Sequence, residues 1–185
     1  MKILAIDPGY EKLGIAILEK SSGSKETLLF SECFKTLRSE SSDERLRALG
    51  KEVERVIEEY GPKCLAIEKL FFADNQKTAM RVAEARGVII YEASRAGLSV
   101  TEFTPLQAKV AITGYGRGTK TQMKFMVEKL VHIGKKIKED DEYDAIALGL
   151  TYFATKKVYE NTNGANIPMS DRVRTGLGRK DKKIS

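Results

Sequence analysis

Apolar and polar positions follow two different periods along this chain. Short apolar runs rich in branched residues occupy residues 2–6 (KILAI) and 13–18 (LGIAIL). Turn residues bound each run: Asp7-Pro8-Gly9 after the first and residues 21–24 after the second. Such runs predict buried strands. Residues 27–35 predict a third strand, and the short links between the three predict an antiparallel meander. The period then changes. Leu46, Leu49, Val53, Val56, Ile57 and Tyr60 share one face of a helix. Ser41 and Glu44 have capping-box spacing, and Gly61-Pro62 stops the helix. Residues 64–67 predict a fourth strand, ending at Glu68. Residues 76–96 predict a helix carrying Ala79, Ala83, Ala85 and Gly87 on part of its surface. Residues 98–103 predict a fifth strand, and Thr104-Pro105 with Gln107 starts another helix. A GYGRG loop at 114–118 follows. Residues 119–131 and 141–155 predict the last two helices, the former with Met123, Met126, Val127 and Leu130 inward. Three strands, then alternating helices and strands, predict an α/β fold. Its five-stranded mixed sheet is antiparallel on one side and parallel on the other, with flanking helices.

Length and composition narrow the class. The 185 residues suit one domain, read as residues 1–155, followed by a basic tail over 156–185. The tail is polar and rich in Gly and Asn, and is expected to be disordered. The chain is 42% hydrophobic and 31% charged, which excludes wholesale disorder. No apolar run approaches a membrane span. The N-terminus reaches an acid after six residues, too soon for a signal peptide. Cys33 and Cys64 have no metal spacing and suit a reducing cytoplasm.

The net charge of +6 mildly favours a polyanion partner. Its distribution is more informative. Residues 156–185 hold eight basic and three acidic residues, leaving residues 1–155 at only +1. Inside that near-neutral stretch, residues 105–138 hold eight basic residues and one acid. Residues 139–144 then hold five acids among six.

Four acids stand where a purely structural role is hard to assign. Asp7 and Glu68 each follow an apolar strand directly. If those strands are parallel neighbours, the two carboxylates emerge side by side at the carboxyl edge, where ligands bind in such folds. Asp141 and Asp144 are three apart, so they share a helix face. Packed carboxylates repel and raise each other's pKa. Cations between them relieve this, and Mg²⁺ suits hard oxygen ligands. Two such ions about 3.5–4 Å apart serve phosphodiester displacement. Each residue alone also has a plainer reading: a turn acid for Asp7, a lysine partner for Glu68, helix-dipole acids for Asp141 and Asp144. The combination is the specific signal. Glu139, Asp140 and Glu142 are expected to be solvated acids at a helix start. His132, the only histidine, is expected to be structural.

These residues form recognisable motifs. IDPG at 6–9 before LGIAIL, AIEKLFFADN at 66–75, EARGV at 84–88 and DEYDAIALGL at 141–150 resemble the RuvC family of Holliday-junction resolvases. The resemblance covers roughly residues 1–155 in order. It implies a ribonuclease H-like fold and a structure-selective endodeoxyribonuclease of homologous recombination and DNA repair. Such an enzyme resolves four-way junctions by paired hydrolysis, leaving 5′-phosphate ends. It implies Asp7, Glu68, Asp141 and Asp144 as the catalytic and metal-binding quartet, with two Mg²⁺ ions that Mn²⁺ can replace. It further implies a homodimer, contacting through the helix after Glu68, and a RuvA–RuvB branch-migration complex as partner. Phe71 resembles the aromatic that stacks on an unpaired base, a contact worth about 1–3 kcal/mol. Its neighbour Phe72 is expected in the core. Lys109 and Lys120 resemble the basic residues near the scissile phosphate, and Arg117 and Tyr115 extend that surface. Solvated helix positions are expected for Lys124 and Lys129.

Two other classes compete. Asp7-Pro8-Gly9 before a hairpin also begins the phosphate loop of actin-like and sugar-kinase-like ATPases. The chain is too short for their two-domain cleft, and the paired acids 141 and 144 have no place there. A non-catalytic junction binder on the same fold would not need all four acids.

Overall fold

The computed structural model describes residues 1–70 and 76–161. Five strands form one sheet: β1 (Lys2–Asp7), β2 (Lys12–Glu19), β3 (Thr27–Lys35), β4 (Cys64–Glu68) and β5 (Ser99–Phe103). Their order is β3-β2-β1-β4-β5. β1 pairs antiparallel with β2, and β2 with β3. β1 and β4 pair in parallel, as do β4 and β5. The meander and the mixed sheet are as the apolar pattern predicts.

Five helices cover the sheet: α1 (Ser42–Tyr60), α2 (Gln76–Arg95), α3 (Pro105–Thr113), α4 (Lys120–Leu130) and α5 (Asp140–Asn161). Local chemistry sets their ends. Ser41 and Glu44 form the expected capping box on α1, and Gly61 closes it in the left-handed conformation at φ 60°. Thr104 with Gln107 caps α3, and Thr119 with Gln122 caps α4 in the same way. The last helix runs to Asn161, six residues past the expected end at 155. Polar composition there hides a continuing helix.

The two faces of the sheet differ in side-chain size. Leu4, Ile6, Ile15, Ile17, Leu65 and Ile67 pack under α1 and α2. Ile3, Ala5, Ala16, Leu18, Cys64 and Ala66 pack under α3, α4 and α5. Alternation puts Asp7 on the same face as Ala5, and Glu68 on the same face as Ala66. Alanines on that face let α5 approach closely. At Gly149 a Cβ would overlap Leu18, which fixes that approach. One inward expectation fails: Met123 and Val127 are buried, but Leu130 is exposed at the end of α4.

Candidate active site

The site begins with strand register. Ile6 of β1 pairs with Ile67 of β4, so Asp7 and Glu68 leave adjacent parallel strands at the same level. Glu68 is pinned from two sides. Lys69 donates its backbone N–H to the Phe103 carbonyl at 2.7 Å, and Arg86 Nε donates to the Glu68 carbonyl at 3.3 Å. Arg86 also pairs with Glu102 on β5. On the other flank, Asp7 lies opposite Gly14 of β2. A Cβ on Gly14 would overlap the backbone carbonyl of Asp141. That close approach seats the start of α5 beside Asp7.

The four carboxylates sense one another. Burial pushes the Asp7 carboxyl up from 3.8 to about 8, helped by the charges of Glu68, Asp144 and Asp141. Burial also raises Glu68, helped by Asp144 and opposed by Lys109. Asp144 is raised by burial and opposed by Lys120. Such carboxyls ionise together only with cations among them, so the donor set fits divalent metal.

The remaining acids of residues 139–144 are not the solvated acids expected at a helix start. Glu139 is gripped by Lys12 of β2 at 2.6 Å and by Lys35 of β3, whose hydrogen bonds hold its carboxyl down at about 2. Asp140 pairs with Lys124 and with Lys120 at 3.1 Å. Its carboxyl is lowered by those lysines, Lys124 first. Lys124 is therefore an anchor rather than a solvated helix residue. Glu142 is only 6% exposed. It accepts from Ser31 Oγ at 2.6 Å and pairs with Lys135 at 2.7 Å. Three acids thus tie the start of α5 to β2, β3 and α4, while Asp144 lines a cleft with Glu68 and the charges of Asp141 and Asp144 act on Asp7. Only tertiary structure reveals this division. The sequence signal was the density of acids itself, which demands counter-cations.

Lys109 and Lys120 both line a cleft of about 220 Å³ with Glu68 and Asp144. Lys120 reaches Asp144 at 3.5 Å. Tyr115 and Arg117 are exposed in the loop between α3 and α4, and the Tyr115 hydroxyl donates to Gln122 at 3.0 Å. Neither lines that cleft. Phe71 and Phe72 lie outside the described residues. His132 is exposed and lies in the loop after α4. Cys33 departs from its expected isolation: its sulfur lies within 4.8 Å of carboxylate oxygens of Glu139 and Asp141. Lys12 and Lys35 already fill the place of a cation at Glu139.

Residues 3–152 match the family model described as crossover junction endodeoxyribonuclease RuvC. The chain belongs to the RuvC family. It is 45% identical over 148 residues to the crossover junction endodeoxyribonuclease RuvC of Thermosipho melanesiensis, covering 80% of this chain and 94% of that one. The RuvC of Caldicellulosiruptor saccharolyticus is 41% identical over 152 residues, covering 82% and 92%. T. thermophilus RuvC, solved in complex with a Holliday junction substrate, superposes with a TM-score of 0.80 at 28% identity, covering 85% of this chain and 96% of that one. The yeast mitochondrial Holliday junction resolvase Ydc2 shares the fold with a TM-score of 0.61 at 16% identity, covering 86% and 82%. RuvC family members are metal-dependent nucleases. Among the described residues, no helix of this chain is long and apolar enough to cross a membrane.

Proposed function

We propose that this chain is the crossover junction endodeoxyribonuclease that its family implies, cutting four-way DNA junctions by paired phosphodiester hydrolysis. The observation that carries this reading is the parallel β1–β4 register, which sets Asp7 level with Glu68. The charges of Asp141 and Asp144 add to the upward pull on Asp7. Asp7, Glu68, Asp141 and Asp144 would hold two Mg²⁺ ions, with Mn²⁺ able to replace them. Bound ions would supply an activated water and charge stabilisation at the leaving oxygen. The protein's own residues do the rest. The carboxylates would set where those ions sit, and through them where the phosphodiester anion lies. Lys109 and Lys120 hold the strand by its phosphates, which positions it without reading sequence. Phe71 stacks on an unpaired base at the crossover, and Tyr115 and Arg117 extend the contact along an arm.

Paired nicks require two sites, so the active species is a homodimer. Met80, Gly87 and Tyr91 support α2 as its contact, because they are exposed along one helix face. Ala85 instead packs within the chain. A RuvA–RuvB branch-migration complex is the family-implied partner, and the cytoplasm is the proposed compartment. Helix α5 carries the nuclease domain on to Asn161, and the sequence after it holds an excess of basic residues.

The test uses an end-labelled mobile four-way junction with Mg²⁺. Symmetric paired nicks are expected from the native chain. Asp7→Asn should retain junction binding and lose cleavage by at least about 10²–10³-fold, the scale of losing one charge-stabilising group. Binding without nicks in either Mg²⁺ or Mn²⁺ would sink the reading.

A further inference from the structure

A second cleft opens on the other side of Asp7 from Lys109 and Lys120. It has a volume of about 470 Å³, and its lining includes Gly9, Tyr10, Lys12, Arg81 and Asp141. The two clefts share no lining residue, yet the first holds Glu68 and Asp144 and the second holds Asp141. One lies toward β4, α3 and α4. The other lies at the β1–β2 turn. A strand whose reacting phosphodiester sits at Asp7 therefore passes from one cleft into the other.

The charges lining the second cleft are Glu11, Lys12, Arg81 and Asp141, the last a member of the candidate quartet. Lys12 is taken up by Glu139, and the lining acid Glu11 is taken up by Arg38 at 2.8 Å. Arg81 is exposed and has no ion pair among the described residues. Its guanidinium lies 5.4 Å from the Tyr10 ring centroid. Behind that ring wall is a second cation. Arg45 lies 4.0 Å from the same centroid, is only 5% exposed, and donates through Nε to Thr36 Oγ1 at 2.9 Å. Its Nη2 has no hydrogen-bond partner. A buried cation is weakly screened, so its field reaches the cleft surface. With Lys12 and Glu11 paired elsewhere and Asp141 set aside for metal, the two guanidiniums around Tyr10 make a place for an anion. Gly9 contributes a surface without a side chain, since a Cβ there would overlap the Lys12 carbonyl.

We propose that this cleft, through Arg81, binds a DNA backbone phosphate on the side of the cut opposite to the phosphates held by Lys109 and Lys120. The proposal rests on the nuclease reading above. It makes Arg81 a strand-positioning residue, with Arg45 and Tyr10 as its support. The reacting bond is then held from both sides, which limits its freedom to slide past the carboxylates.

Junction affinity of the full chain, measured without divalent metal across a salt series, tests the charge contact. Arg81→Gln should weaken binding several-fold and reduce the slope of log K against log[salt] by about one phosphate contact. Arg81→Lys should restore the slope, and Arg47→Gln, on the exposed surface of α1, should leave it unchanged. A second measurement places the phosphate. Junctions carrying one neutral methylphosphonate near the cut are compared in the native chain, Arg81→Gln and Lys109→Gln. The substitution to which Arg81→Gln is insensitive should lie across the cut from the one to which Lys109→Gln is insensitive. An unchanged salt slope in Arg81→Gln overturns the proposal, as does coupling of both residues to the same side. Failure of the native chain to nick a junction would instead sink the nuclease reading.

Discussion

Gly14 has no functional group, yet it controls where a candidate ligand stands. It lies opposite Asp7 in the β1–β2 ladder, and a Cβ there would overlap the Asp141 carbonyl. Gly14→Ala must push the first turn of α5 away from Asp7. Helix and sheet content should survive, because the rest of α5 stays packed on Leu18 and Ala5. Cleavage should fall by about 10²-fold, the effect of misplacing catalytic groups by an ångström, with the Mg²⁺ requirement raised. Circular dichroism and a metal titration of cleavage check this; native activity in Gly14→Ala would refute it. Asp7 and Glu68 were legible because an acid directly after a buried apolar strand has few structural uses. Gly14 was not, because LGIAIL reads as an ordinary strand until α5 is laid across it. Glu142 was misread for a related reason. Its partner Ser31 lies 111 residues away, and no local pattern announces that contact.

At the scale of elements, the start of α5 is held by opposed cations on different layers. Glu139 ties it to β2 and β3, Asp140 to α4, and Glu142 to Ser31 and Lys135. The exposed pairs are screened by solvent and contribute little stability each. Glu142 differs because its carboxylate is buried. Lys135→Met leaves that carboxylate with Ser31 alone, costing about 1.5–3 kcal/mol by loss of a charge-assisted bond. Its effect on cleavage should exceed its effect on junction binding, because it loosens the helix start that carries Asp141 and Asp144 rather than the segment that carries Lys109 and Lys120. A split between kcat and KM reads this out. Equal losses in both would mean that the clip holds the DNA surface instead. The strands and most helix ends followed from period and capping residues. The end of α5 did not, since apolar periodicity fades before the helix stops at Asn161.

Across the whole molecule, the near-neutral sum of residues 1–155 hides strong local fields. Those fields link stability to pH and metal. Asp7 ionises near 3.8 in an unfolded chain and near 8 in the folded, metal-free one. Between those values the native state keeps a proton that the unfolded state has released. Stability from this group is complete below about pH 4 and falls as pH rises, until it is lost above about pH 8. Glu68 and Asp144 are raised as well and act in the same direction. Glu139 and Asp140 are lowered, so their contribution is complete above the ordinary carboxylate range and is lost as pH falls below it, outside the range of pH 5 to 8. The metal-free protein should therefore melt at lower temperature as pH rises from 5 to 8. Metal held by these carboxylates would need them ionised, so the stabilising effect of Mg²⁺ should grow over the same range. At a hundred times Kd it should add about 2.7 kcal/mol, or roughly 5–10 °C for a domain of this size. Asp7→Asn should flatten the metal-free pH dependence and shrink the Mg²⁺ shift. Melting curves at pH 5 and 8, with and without Mg²⁺, decide the matter. A shift that is absent at both pH values, or larger at pH 5, would remove the carboxylates from the metal-binding role.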